Sequence, residues 1–243
     1  MGGPGRGPRV LLRRPVVPRS ARPGRGDADR VPRAAGPPTR RGVSRLAIGI
    51  DVAATRGCDV VALGPDRGPT PIGRVHTGPD LVALLADLRP AVVAIDAPPG
   101  WADPGPRSAE RALARRGISV FATPDATRGA DNPFYAWMRT GFVMHAAARD
   151  LGTPVALETF PHAVAVALRG TRPEGSLLKR PAEKRRWRRA ALEAAGFTTT
   201  RLRTIDEIDA ALCAVTGWYH LEGRTETFGD GTDGVIVVPT GLP

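Results

Sequence analysis

Short apolar runs alternate along the chain with breaks marked by glycine and proline, and the periods of these runs predict its elements. "RLAIGIDVA" over 45–53 reads as a strand, "CDVVALG" over 58–64 as a second, and "TPIGRVHTG" over 70–78 as a weaker third. The connections between them are too short for a crossover helix, so the three are expected to form an antiparallel meander. "PDLVALLADLRP" then sets Leu81, Leu84, Leu85 and Leu88 at helical spacing behind Pro79 and Asp80. "AVVAIDAPP" follows as a buried strand, so a helix has carried the chain back to the sheet. From about 100 to 150 the pattern loosens, with helices expected near 107–116 and 134–150. "TPVALETFP" resumes as a strand. Behind it come a short helix, "HAVAVALRG", a longer one with a basic outer face, "PAEKRRWRRAALEAAGF", and a third, "TIDEIDAALCAVTGWYHLEG". "DGVIVVP" closes the chain as a short strand.

Three antiparallel strands followed by alternating helices and strands describe an α/β fold, a mixed sheet with helices on both faces. Ligand sites in such sheets sit at the carboxyl ends of the parallel strands. Asp51, Asp96 and Glu158 each stand at or near such an end, where a buried strand would otherwise take another apolar residue. Asp206 and Asp209 lie three apart on one face of the last helix. A buried, unpaired carboxylate is costly, so each of these acids needs an arginine, backbone amides or a metal ion. Grouped hard oxygen donors suit Mg²⁺ or Mn²⁺ better than zinc. Such a group can hold two ions roughly 3.5–4 Å apart on a phosphodiester, one activating water and one stabilising the leaving oxygen. The competing reading is that each acid merely caps a loop or pairs with Arg56, Arg107 or Arg111.

Composition changes this picture in one respect. The 243-residue chain carries a net charge of +11, but residues 1–42 hold eleven of its arginines and only two acids, leaving the remainder near neutral. The same stretch has eight prolines and eight glycines and no helical or strand periodicity, so residues 1–43 are expected to be a disordered Arg/Pro/Gly-rich arm. Three explanations of the arm stay open: an electrostatic arm for phosphate backbones, a targeting segment, or sequence upstream of a start at Val43. The proline density argues against the amphipathic helix of a transit peptide. Residues 44–243 are expected to form one domain with a helical insertion at about 100–150. Cys58 and Cys213 are far apart and in no metal-binding spacing. No run reaches the ~20 apolar residues of a membrane helix. A cytoplasmic protein without membrane attachment is the expectation, its oligomeric state open.

Three further features carry chemistry. "PPGW" makes a rigid turn behind Asp96 that can present Trp101 for stacking on a base, although a packed tryptophan fits as well. His162 sits four residues after Glu158 at a helix start, where it can serve as a general acid or as a helix-end residue with a satisfied hydrogen bond. "EKRRWRRAAL" interleaves Lys184, Arg185, Arg188 and Arg189 with Trp187, a pattern for tracking a phosphate backbone or simply a solvated helix face.

Taken in order, "GIDVA" with Asp51, "AIDAPPGW" with Asp96 and then Arg107, "ETFPHAV" with Glu158 and His162, Lys179, "DEIDAALCA" with Asp206 and Asp209, and the final "GVIVVP" resemble the domain of unknown function 429 family. The resemblance covers about 44–239. That family is described as predicted nucleases with a ribonuclease H-like fold, and its strand order resembles that of ribonuclease H and the Holliday-junction resolvases. Their acids lie on the first strand, the fourth strand and the last helix, positions that Asp51, Asp96, Asp206 and Asp209 match here; Glu158 does not match that plan. The resemblance implies a Mg²⁺- or Mn²⁺-dependent nuclease with Asp51, Asp96 and Asp209 as ligands and Asp206 and Glu158 completing or orienting the shell. It also implies Arg107, Lys179 and Arg185 as cations near a scissile phosphate; Trp101 and His162, from their own positions, are the further candidates for substrate contact. Nucleic acid, DNA or RNA, is the expected partner. Two rivals keep the fold and change the activity: a non-catalytic nucleic-acid-binding or scaffold protein, and a hydrolase of a small phosphorylated or nucleotide substrate, which the near-neutral core favours.

Overall fold

Ala47–Asp51 (β1) is buried along its whole length and lies in the interior of the sheet. The computed structural model describes residues 45–103, 105–152, 154–175 and 180–243; the arm expected at 1–43 and Lys179 lie outside these described residues. β1 pairs antiparallel with Cys58–Leu63 (β2), and β2 pairs antiparallel with Thr70–Val75 (β3). Helix α1 (Gly78–Leu88), started by a capping box between Thr77 and Asp80, returns the chain so that Val92–Asp96 (β4) runs parallel to β1. Val155–Glu158 (β5) adds parallel to β4, and Ile236–Pro239 (β7) adds parallel to β5. With Thr225–Phe228 as β6, the sheet has seven strands among the described residues, in the order β3-β2-β1-β4-β5-β7-β6. This is the expected ribonuclease H-like mixed sheet: three antiparallel strands, then parallel strands returned by helices.

Strand alternation divides the core into two halves. Ala47 of β1 and Val92 and Ala94 of β4 face Ile205–Leu221 (α7), together with Pro161–Arg169 (α5) and Pro181–Ala194 (α6). Ile48, Ile50, Val93 and Ile95 face the other way, toward α1 and Ala136–Asp150 (α4). Between β4 and β5 the chain also forms Ser108–Arg115 (α2) and the single turn Ala126–Gly129 (α3). The strand Thr225–Phe228 (β6) was not expected. It is a four-residue edge strand paired only to β7, too short and too polar to leave a period in the sequence.

Gly49 allows α7 to lie directly on β1. A Cβ there would sit 2.0 Å from the Ala210 carbonyl oxygen and 2.2 Å from the Ala214 amide nitrogen. Both are backbone atoms of a buried helix and have nowhere to move. Gly49→Ala is therefore expected to push α7 off the sheet, costing about 3 kcal/mol or more, read as a thermal midpoint lowered by roughly 6–12 °C. An unchanged midpoint would show that α7 yields easily. The same contact sets the chemistry, because it brings the first turns of α7 against the carboxyl ends of β1 and β4.

Candidate functional site

Asp51 and Asp96 are direct neighbours, paired in register at the ends of two parallel strands. Each follows its strand's alternation onto the α7 side, in line with Ala47 and Gly49 on β1 and with Val92 and Ala94 on β4. Asp209, in the second turn of α7, faces them from above and is 7 % exposed, as is Asp51. Asp206, one turn earlier, is more open. The carboxylates load one another: burial, then Asp96, Asp209 and Asp206, hold Asp51 well above the usual carboxylate range. Asp96 is pushed up to about 8 by burial and then by Asp209. Burial also raises Asp209, against the pull of Arg188.

Two arginines answer part of this charge. Arg56, in the turn after β1, reaches Asp51 at 3.3 Å, Asp59 at 3.1 Å and Asp206 at 2.5 Å. Asp59 lies directly opposite Asp51 on β2 and also takes Arg74 at 3.2 Å. From α6, Arg188 is ion-paired with Asp209 and is itself buried. Lys184, one turn before Arg188, acts on Asp96 and Asp209 through its charge. Even so, Asp209 Oδ1 is buried without a hydrogen-bond partner.

Donor chemistry and the orphaned oxygen are of the kind that suits a hard divalent cation, which Asp51, Asp96 and Asp209 could hold. Among the described residues, however, no group of three His, Cys, Asp or Glu side chains is disposed as a ready-made metal site. The fit is thus one of charge and donor type, and ligation would require Asp209 to exchange part of its pairing with Arg188.

Glu158 acts on Asp96 through its charge but does not face the group. It pairs across with Ile95, one register short of Asp96, and so turns to the opposite face. There it meets Arg107, which is 1 % exposed and grips both its oxygens at 2.7 and 2.6 Å while donating from Nε to the Asp233 carbonyl at 2.9 Å. Burial raises the Glu158 carboxyl to about 7 against that pull. Arg107 is consumed by this pair and offers no free face to a phosphate. Trp101 is packed as well: its ring meets Phe142 edge-on at 4.7 Å and lies where a side chain on Gly129 would be. His162 lies near the basic helix, its Nδ1 buried without a partner. Burial and then Arg188 and Lys184 lower it to about 4, so it is neutral near pH 7 and is a poor general acid. Arg185 is exposed on the outer side of α6.

Arg56 pairs with the acids as the competing reading had it, and Lys184 and Arg188 of the basic run stand at the site with Asp59, whereas Arg107 and Arg185 do not. The signal for the α6 residues was present: Lys184 and Arg188 share one helical stripe with the buried Ala191 and Leu192, and Arg185 lies at its edge. For Asp59 the signal was a carboxylate inside an apolar strand. No helix among the described residues is long and apolar enough to cross a membrane.

No curated protein matches the chain. Among solved structures it is similar to RuvC of Thermus thermophilus, 19 % identical with a TM-score of 0.41 over 73 % of this chain and 96 % of that one. It is similar also to T. thermophilus RuvC in complex with Holliday junction substrate, 17 % identical with a TM-score of 0.42 and the same two coverages. Residues 49–233 match the family described as Protein of unknown function (DUF429), a span that holds every acid of the site and most of the described fold. The chain belongs to the DUF429 family.

Proposed function

We propose that this protein is a Mg²⁺- or Mn²⁺-dependent phosphodiesterase acting on nucleic acid. The observation that carries the reading is the in-register pair Asp51 and Asp96 facing Asp209, three mutually repelling carboxylates with an orphaned buried oxygen among them. A protein gains no stability from such a group, and sites of this kind accumulate where charge is to be bound. Asp51, Asp96 and Asp209 would hold the cation, which supplies charge neutralisation and an acidified water. Asp206 and Asp59, tied together by Arg56, fix the flank of the site. Lys184 and Arg188 bring positive charge to the same edge, where they can engage a phosphodiester as charge develops on it. Glu158 contributes from a distance, holding Arg107 and with it the start of α2.

Manganese titration by calorimetry on the full chain tests this reading, alongside cleavage of single-stranded, duplex and branched DNA and RNA. Saturable binding that Asp209→Asn removes, with cleavage of at least one polymer, is the expected result. One observation favours the non-catalytic reading: Arg56 and Arg188 already neutralise part of the acid group from within. Polymer binding without manganese uptake would establish that alternative. A small phosphorylated substrate would show itself by a shallow dependence of turnover on salt, against the steep one of a polymer held at several phosphates.

A further inference from the structure

Beside the acids the sheet end opens into a cavity of about 390 Å³. Of the chain's twelve aromatic residues, Phe121, Phe134, Trp137 and Phe160 line it. Phe121 and Phe134 are 47 % and 61 % exposed, with ring centroids 5.5 Å apart, and Phe121 meets the edge of Trp137 at 6.0 Å. Half-exposed aromatics held against one another at the mouth of a hollow are a stacking surface without a ring to stack on. The volume lies near the lower end of the roughly 300–1,000 Å³ of small-ligand pockets, suiting one ring system and excluding a duplex.

The cavity wall also carries a polar discriminator. Glu110, 6 % exposed, directs Oε1 to the Thr123 amide at 2.9 Å and the Thr123 hydroxyl at 2.6 Å, while its Oε2 is buried with no partner. A carboxylate oxygen accepts, and a flat ring offering an amino group would satisfy it. The ring N–H of thymine or uracil is flanked by two carbonyl oxygens, which a carboxylate repels. Asp96 belongs to the same wall, so a base seated here carries its own sugar-phosphate toward the Asp51–Asp96 edge.

We propose that this cavity receives a single unstacked, amino-bearing nucleobase, adenine, cytosine or guanine, of a single-stranded nucleic acid. The inference deepens the nuclease reading and rests on it for the identity of the polymer. Aromatic walls bind the ring, Glu110 selects the amino group, and the acids lie beside the adjoining backbone.

Fluorescence anisotropy of the full chain with short single-stranded homopolymers, as DNA and as RNA and in calcium-containing buffer, tests it. Oligomers of adenine or cytosine are expected to bind about tenfold tighter than those of thymine or uracil and than an abasic strand. Phe121→Ala, at an exposed position, should remove the advantage of a base over an abasic site. Glu110→Gln should remove the preference for amino-bearing bases while leaving the abasic strand unaffected. Equal affinity for every strand overturns the pocket, as does a preference that survives both substitutions. Cleavage of the same strands with manganese separates the two readings. Cleavage without base preference overturns the pocket alone, and base-selective binding without cleavage overturns the nuclease alone. Failure to bind any strand overturns the pocket.

Discussion

The Asp96→Asn protein is expected to lose about 10³-fold in phosphodiester cleavage and yet, without divalent cation, to melt several degrees higher than the parent. Asp96 is paired in register with Asp51, and burial together with Asp209 pushes it up to about 8. In the unfolded chain the same carboxyl ionises near 3.8. The folded state therefore keeps a proton that the unfolded state has lost, and the stability this gives at low pH disappears as pH rises from about 4 to about 8. Asparagine carries no such charge and removes the slope. Asp96 keeps some contact with solvent, which moderates the gain to the order of 1–2 kcal/mol near pH 8, or roughly 2–8 °C. Melting curves of parent and variant from pH 5 to 8 in chelator, repeated with manganese, check this. The parent's midpoint should fall relative to the variant's as pH rises, and manganese should raise the parent only. Equal slopes would mean that Asp96 is already neutralised by Arg188 and Lys184, and that the acid group is a structural ion-pair network. Asp51→Asn should behave alike, since burial and then Asp96, Asp209 and Asp206 likewise raise Asp51.

How much of this was legible depends on which physical constraint fixes each residue. β1, β2 and β4 are apolar runs buried on both sides and bounded by turn residues, so the local pattern and the final environment agree. Helix α7 declares its start through Thr204 and Glu207, which form the capping box observed there. Asp51, Asp96 and Asp209 follow from these elements once the mixed sheet is assumed. Glu158 shows where sequence reading stops. It ends a strand just as Asp96 does, but register is set by pairing, and a shift of one residue sends it to the other face. Arg107 likewise reads as a free cation until its partner is known. Lys184 and Arg188 needed only the helical phase of α6, which Ala191 and Leu192 reveal. The aromatic cavity left only a partial linear trace: Phe134 and Trp137 lie three residues apart, but Phe121 and Phe160 come from elsewhere in the chain, and only the fold assembles the four.

Arg107→Ala is expected to be the most destabilising of the substitutions considered, at about 3–5 kcal/mol. The guanidinium is buried and spends its donors on both Glu158 oxygens and on the Asp233 carbonyl, with Glu110 a further 3.7 Å away. It thereby joins the start of α2, the end of β5 and the segment leading into β7, which Ser108 reinforces through its amide and hydroxyl bonds to Asp233 at 3.0 and 2.9 Å. Removing it strands a buried carboxylate and an unpaired carbonyl, and the midpoint should fall by roughly 10 °C or more. Arg107→Lys keeps the charge but cannot form the two-pronged grip, so it should recover only part of the loss. Arg107→Met combined with Glu158→Leu removes both charges together and should be much less damaging than Arg107→Ala, a non-additivity that identifies the pair as the cause. Calorimetric titration of manganese into Arg107→Lys, at a temperature where it is folded, decides between a cation that holds the scaffold and one that serves the substrate. Unchanged manganese affinity and cleavage with a lowered midpoint fits the buried pair. A normal midpoint with cleavage lost would instead place Arg107 at the phosphate.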